Sequence, residues 1–227
     1  MTQIHMPGEE LVKKILSGER NYRNVVLEDN FNLAGHDGYQ GMLIYLRKQD
    51  MEKNRYDFSK ARLAGLKAPE LYLPFVIALE ANLESADLRS ANLRAAGLGS
   101  ANLGGADLRY ASLGSADLGN ASLGSADLGN ADLRAADLGG ADLRYASLGG
   151  ANLWSANLRY AKLRGASLGR ADLMGASLGR ADLRGTRNLE LALNLEHAIY
   201  GGTTVTEKER TIIEKVRGEA RLFDVRE

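Results

Sequence analysis

The chain contains no cysteine, only three histidines and three prolines in 227 residues, and few aromatic side chains, 6% of the total. Without cysteine there can be no disulfide, no thiolate nucleophile and no cysteine-ligated zinc, and the redox compartment stays undecided. His5, His36 and His197 stand apart with no H-x-x-x-H spacing, so no metal site is read from them. An excess of either charge is missing too. The 29 basic and 29 acidic residues cancel, which argues against a generic binder of nucleic acid or polyanions. No apolar run approaches the ~20 residues that span a bilayer, and the N-terminus lacks a charged segment followed by an apolar stretch and a cleavage site. The expectation is a soluble protein, cytoplasmic by default, with no membrane partner and no direct contact with nucleic acid.

What is abundant is glycine, 26 residues, and a strict period of five. From Ala81 to Gly185 the chain divides into 21 consecutive units, ANLES ADLRS ANLRA onward to ADLRG, each beginning with Ala and carrying Leu third. The second place holds Asp, Asn or Ser except at Gly97 and Lys162. A period of five fits neither a helix nor a strand, because either would rotate Leu through solvent. A chain that turns a corner every five residues returns each Leu to one interior, and four units close a square coil. Ala points inward beside Leu, the polar second place faces outward, and Gly and Ser relieve the corners. Coils then stack at about the inter-strand spacing of ~4.8 Å.

These units resemble the A(D/N)LXX signature of the pentapeptide-repeat family. The resemblance runs unbroken over residues 81–185 and implies an all-β solenoid, a right-handed quadrilateral β-helix. A weaker frame at Phe58, Leu63, Ala68, Leu73 and Ala78 predicts a degenerate coil over 56–80, irregular around Pro69 and Pro74. Tyr22 and Leu27 hint at an earlier piece of wall. Segments 38–51 and 7–16 read as short amphipathic helices, the former with Met42, Leu43 and Leu46 on one side, so residues 1–55 are expected to form an N-terminal cap. After Gly185 the frame slips, giving a final irregular coil over 186–205. Thr206 and Glu209 then form a T-x-x-E capping box that opens a helix to about Phe223, within 206–227. Its stripe of Ile212, Ile213, Val216 and Phe223 would cover the last coil. Family members that dimerise through their C-terminal ends imply that it could also join two protomers.

The sequence shows no catalytic constellation, no metal ligands and no cofactor motif. The Gly-rich stretches follow the repeat, and no G-K-[ST] follows them. Asp at the second place is expected to hydrogen-bond the turn backbone rather than to do acid–base work. Functional surface is therefore sought in the ladders formed by residues twenty apart. Asp87, Asp107 and Asp127 form one acidic ladder, and Asp117 with Asp137 part of another. Arg144, Arg164 and Arg184 form a basic ladder with Lys162 beside it, and Arg89 and Arg109 ride beside the first acidic one. Residues 81–142 carry four Arg against seven Asp and one Glu, whereas 143–185 carry six Arg and one Lys against two Asp, so the rod is polarised. Tyr110, Tyr145, Trp154 and Tyr160 face outward. The Arg-Tyr pairs at 109–110, 144–145 and 159–160 read as local stacking that covers the wall.

The function read from this pattern is a non-enzymatic scaffold presenting side-chain ladders to an unidentified protein partner. The alternative, implied by family members that act on type II topoisomerases, is a DNA mimic that modulates or protects gyrase. Duplex DNA as long as the acidic part, roughly 15 Å, would carry about nine charges. The acidic part here carries a net of four, and the other half has the opposite sign. Near-identical stretches such as ASLGSADLGN at 111–120 and 121–130 point to internal duplication or a consensus-built sequence.

Overall fold

The computed structural model describes residues 3–28 and 30–217. Its main body is a four-sided stack of coils. Single parallel bridges link second-place residues twenty apart, from Asp57–Ile77 through Asn82–Asn102 to Ser167–Arg187. The Leu83 N–H donates to the Asn102 carbonyl at 2.7 Å, the Ser85 N–H to the Gly104 carbonyl at 2.8 Å and the Asn102 N–H to the Ala81 carbonyl at 2.9 Å, and the pattern repeats unit after unit. Each corner closes across the unit boundary, as where the Ala86 N–H reaches the Leu83 carbonyl at 3.1 Å. The Ala and Leu of every unit between 81 and 185 are buried. The backbone's hydrogen bonds thus run from coil to coil, and the apolar pair fills the interior.

The fifth residue of each unit has a positive φ whatever its side chain, 56° at Ser85, 54° at Ala95 and 61° at Tyr110. The turn needs a left-handed residue at this point, as type II turns do, and the sequence supplies glycine at only some corners. The fourth residue takes the preceding turn position. Pro69 and Pro74 both stand there, and the wall continues through them with its bridges intact, Lys67–Asp87 and Tyr72–Asn92. The irregularity expected around these prolines is absent, because proline's fixed φ suits that place and no ladder bond uses the N–H there.

The N-terminal segment extends the same stack downward. Asn21 bridges Asp57 and Val26 bridges Arg62. Strand β1 (Ile4–His5) lies parallel to β2 (Val25–Val26) with Ile4 opposite Val25. Helix α1 spans Gly8–Leu16 and buries Leu11, Val12 and Ile15. Helix α2 spans Tyr39–Arg47 and buries Met42, Leu43 and Leu46. Leu11 and Ile15 meet Phe58, Leu63 and Leu83 around an apolar cavity of about 50 Å³ at this end of the interior. Tyr22 stacks on Phe58 with ring centroids 4.8 Å apart.

At the other end the period lengthens. Asp172 bridges Leu193, Ser177 bridges Ile199 and Asp182 bridges Thr204, so two single residues have entered the last coil. Each is absorbed by a short 3₁₀ turn, Leu189–Leu191 and Leu195–His197. Helix α3 (Glu207–Arg217) packs against both turns. Ile213 is fully buried and Ile212 partly so, but Val216 is 43% exposed. The expected stripe therefore does not lie wholly on the coil: Val216 departs from it because the helix surface it occupies turns to solvent. Phe223 lies outside the described residues.

Candidate interaction surfaces

The second-place residues define four faces. The first runs through Asn82, Asn102, Ser122, Asp142, Lys162 and Asp182, and the second through Asp87, Asp107, Asp127, Ser147 and Ser167. The third carries Asn92, Ser112, Asp132, Asn152 and Asp172, and the fourth Gly97, Asp117, Asp137, Asn157 and Ser177.

Most of the acidic inventory is occupied by the fold. Every Asp and Asn at the second place between 82 and 182 accepts the N–H two residues on through Oδ1, as Asp117 does from Gly119 at 2.9 Å. This Asx turn satisfies the fourth-place donor that the coil-to-coil ladder leaves over. Where the second residue is Ser, in 81–185, the fourth is always glycine.

In each D-L-R unit the arginine also folds back onto the aspartate. Arg109 places Nη2 2.6 Å from Oδ2 and Nε 2.9 Å from Oδ1 of Asp107. Asp87, Asp132, Asp142 and Asp182 are held in the same two-pronged way by Arg89, Arg134, Arg144 and Arg184. Hydrogen bonds from the guanidinium outweigh partial burial and keep these carboxyls below the usual carboxylate range. On the second face the pairing continues upward, with Arg89 Nε 3.7 Å from Asp107 and Arg109 Nε 3.7 Å from Asp127. Asp87, Asp107 and Asp127 are thus interleaved with cations.

Arg144 and Arg184 of the basic ladder are each clamped by an aspartate of their own unit. Arg164, which stands between them, has Lys162 in that place. Asp117 and Asp137 on the fourth face have no ion pair among the described residues; Asp137 accepts a hydrogen bond from Asn157 at 2.8 Å.

The exposed aromatics are not gathered into one site. By the twenty-residue period Trp154 stands on the third face, and Tyr110, Tyr145 and Tyr160 end units of the second, first and fourth. The expected stacking of each tyrosine on its neighbouring arginine holds at one place only. Arg159 lies 5.9 Å and Arg180 5.6 Å from the Tyr160 ring centre, and Arg180 donates to the Tyr160 hydroxyl at 3.1 Å. Arg109 and Arg144 instead turn to Asp107 and Asp142, whose full charges are stronger partners than a ring face. The Tyr145 ring lies over Gly165, where a Cβ would come within 2.7 Å of it.

Sequence patterning alone missed a strip on the third face. Trp154 and Met174 are successive fourth-place residues of one column, Leu193 stands on the coil above in the second-place column of the same face, over Asp172, and Leu191 stands at the corner before it, over Arg170. All four are exposed, Trp154 by 51% and Leu191 by 56%. The residue inserted at the Leu189–Leu191 turn hid this register, since Leu193 comes to stand over Asp172 only through it.

The histidines remain apart. His5 sits in β1, His36 accepts the Gly38 N–H through Nδ1, and His197 ends a 3₁₀ turn. No group of carboxylates and imidazoles fit to hold a metal ion occurs among the described residues. Nor is any helix there long and apolar enough to cross a membrane.

Against known proteins, the profile of pentapeptide repeats matches in eight copies, over residues 86–124, 101–140, 121–157 and 151–187. No curated protein matches the chain. Among solved structures, a trypsin-treated variant of QnrB1, a plasmid-mediated fluoroquinolone resistance protein, is 17% identical, with 97% of this chain and 98% of that one covered at a TM-score of 0.56. That likeness carries the fold, a right-handed quadrilateral β-helix. HetL, a pentapeptide repeat protein involved in heterocyst differentiation regulation in the cyanobacterium Nostoc sp. strain PCC 7120, is 27% identical over 89% of this chain and 98% of its own, with a TM-score of 0.29. The protein alr5209 from Nostoc PCC 7120 is 30% identical, with 70% and 94% of the two chains covered and a TM-score of 0.14. With the repeat signature in its sequence, bridges every twenty residues in its coils and this match to the repeat profile, the chain belongs to the pentapeptide-repeat proteins.

Proposed function

We propose that the chain is a non-enzymatic scaffold, a rod that binds a protein partner through side chains fixed in columns, with α1, α2 and α3 covering the two ends of its interior. The observation that carries this reading is the exposed column of Trp154 and Met174 on the third face, with Leu193 on the coil above. Large apolar side chains held next to one another in water are what protein interfaces use as anchors, whereas scattered ones need no explanation. A rigid backbone lowers the ordering cost of such contacts. The experiment is photo-crosslinking in cells from position 154, with position 124 on the first face as control. A discrete adduct from 154 alone supports the reading, and equal yields from both sites contradict it.

The second reading, a DNA-mimicking modulator of gyrase, is favoured by the full-length fold likeness to QnrB1. Interleaving of Asp87, Asp107 and Asp127 with Arg89 and Arg109 weighs against it, because the mimic needs uncompensated negative charge. A supercoiling assay across a salt series decides: salt-sensitive inhibition or drug protection would promote gyrase, and no effect at high micromolar protein leaves the scaffold. In this reading the C-terminal helix offers a homodimer contact at Val216, which light scattering of a Val216→Asp variant tests.

A further inference from the structure

The fourth face is divided by charge in a way that none of the others is. Asp117 and Asp137 occupy successive rungs and have no cation partner among the described residues. On the next two rungs Arg159 and Arg180 have no carboxylate partner there, and both gather at the Tyr160 ring. Elsewhere on the rod the D-L-R units join such charges within one unit. Here two anions and two cations are separated along one face, and glycine at 99, 119, 139 and 179 leaves no side chain between them and an approaching surface.

We propose that the fourth face binds a second copy of this chain, antiparallel, across a two-fold axis lying between the rungs of Asp137 and Asn157. A two-fold reverses the order of the rungs. It sets Asp137 against the partner's Arg159 and Asp117 against the partner's Arg180, and each of these contacts occurs twice, as a self-complementary interface requires. The offset from a second-place carboxylate to a fourth- or fifth-place arginine is crossed by the long arginine side chain. Charge complementarity selects this occupant over an unrelated acidic partner, which would satisfy Arg159 and Arg180 but leave Asp117 and Asp137 facing like charge. This contact is separate from any made by the third-face strip or by α3.

Sedimentation equilibrium of the full chain at about 50 mM and about 500 mM salt tests it, since charge pairs at an exposed interface weaken as the screening length falls. One variant carries Asp117→Lys and Asp137→Lys; Lys162 shows that lysine is accommodated at a second place. The other carries Arg159→Glu and Arg180→Glu, which leaves every Asx turn intact. The low-salt mass is expected to halve in each variant and to be restored when the two are mixed, because one variant's face is then all positive and the other's all negative. A low-salt mass of one chain for the unaltered protein, a mass unchanged by both reversals, or no association on mixing would overturn the proposal.

Discussion

Arg109 joins two coils: its guanidinium grips Asp107 of its own unit at 2.6 Å and comes within 3.7 Å of Asp127 one coil above. The pair belongs to the rod's own structure, and it has a measurable acid dependence. Hydrogen bonding to arginine lowers the folded-state pKa of Asp87, Asp107, Asp132, Asp142 and Asp182 from 3.8. Their stabilising contribution is complete above that value and is lost as pH falls through the lower folded values. Melting temperature should hold steady from pH 7 to 5 and drop below about 4. Replacing Asp107 and Asp132 by Asn keeps the Asx turns and should shallow that drop. Thermal melts across pH check both.

The fourth place of a unit needs no N–H where the second residue is not Asp or Asn. Gly124 follows Ser122, and a Cβ there meets nothing closer than the Arg144 carbonyl at 3.8 Å. Gly124→Pro should therefore be neutral or stabilise by about 0.4–1 kcal/mol. Asn92→Ala, which strips the acceptor from the Arg94 N–H, should cost about 0.5–1.5 kcal/mol. Urea melts of both variants decide.

Corners filled by alanine should gain from glycine. At Ala95 and Ala135 φ is 54°, a conformation costing a non-glycine residue roughly 1–2 kcal/mol, against roughly 0.5–1 kcal/mol of extra chain entropy that glycine loses on folding. Ala95→Gly with Ala135→Gly should raise the melting temperature. Gly165→Ala should lower it, because φ there is 72° and the Tyr145 ring occupies the space. The opposite ordering would contradict the turn geometry.

Glu209 ties α3 to the end of the stack. Its carboxylate is buried, with Oε1 accepting the Gly185 N–H at 3.1 Å and Oε2 accepting the Thr206 N–H at 2.8 Å and the Thr206 hydroxyl. Glu209→Ala removes the reciprocal half of a capping box and orphans a backbone donor, and should destabilise by about 2 kcal/mol. Hydrogen exchange should show faster exchange at Gly185 and in α3, while amides near Leu133 stay protected.

The repeat wrote most of this architecture into the sequence, because Leu at every fifth residue admits only one interior. The same rule made Pro69 and Pro74 look like interruptions, when what matters is which turn position each fills. Register shifts after Gly185 because one inserted residue brings Leu193 over Asp172 and a second brings Ile199 over Ser177, and a fixed period cannot show that. Arg109 and Arg144 were assigned to their neighbouring tyrosines by adjacency, yet the aspartate two residues back lies on the same face and offers a full charge. What sets Asp117 and Asp137 apart in the sequence is glycine at the fourth place both of their own unit and of the unit twenty residues earlier, Gly99 and Gly119, where Asp127 has Arg109.

The rod's faces exist only if four units make one coil, and a pair of deletions tests this most directly. Removing residues 121–140 takes out a whole coil and returns every later residue to its own face, so a single cooperative melt close to that of the full chain is expected. Removing 121–125 turns the C-terminal half by one face, setting Arg144 and Lys162 in other columns and breaking the bridges across the cut, so the melt should fall sharply or split in two. Equal melting of the two deletions would contradict the twenty-residue coil, and with it the columns on which every surface described here depends.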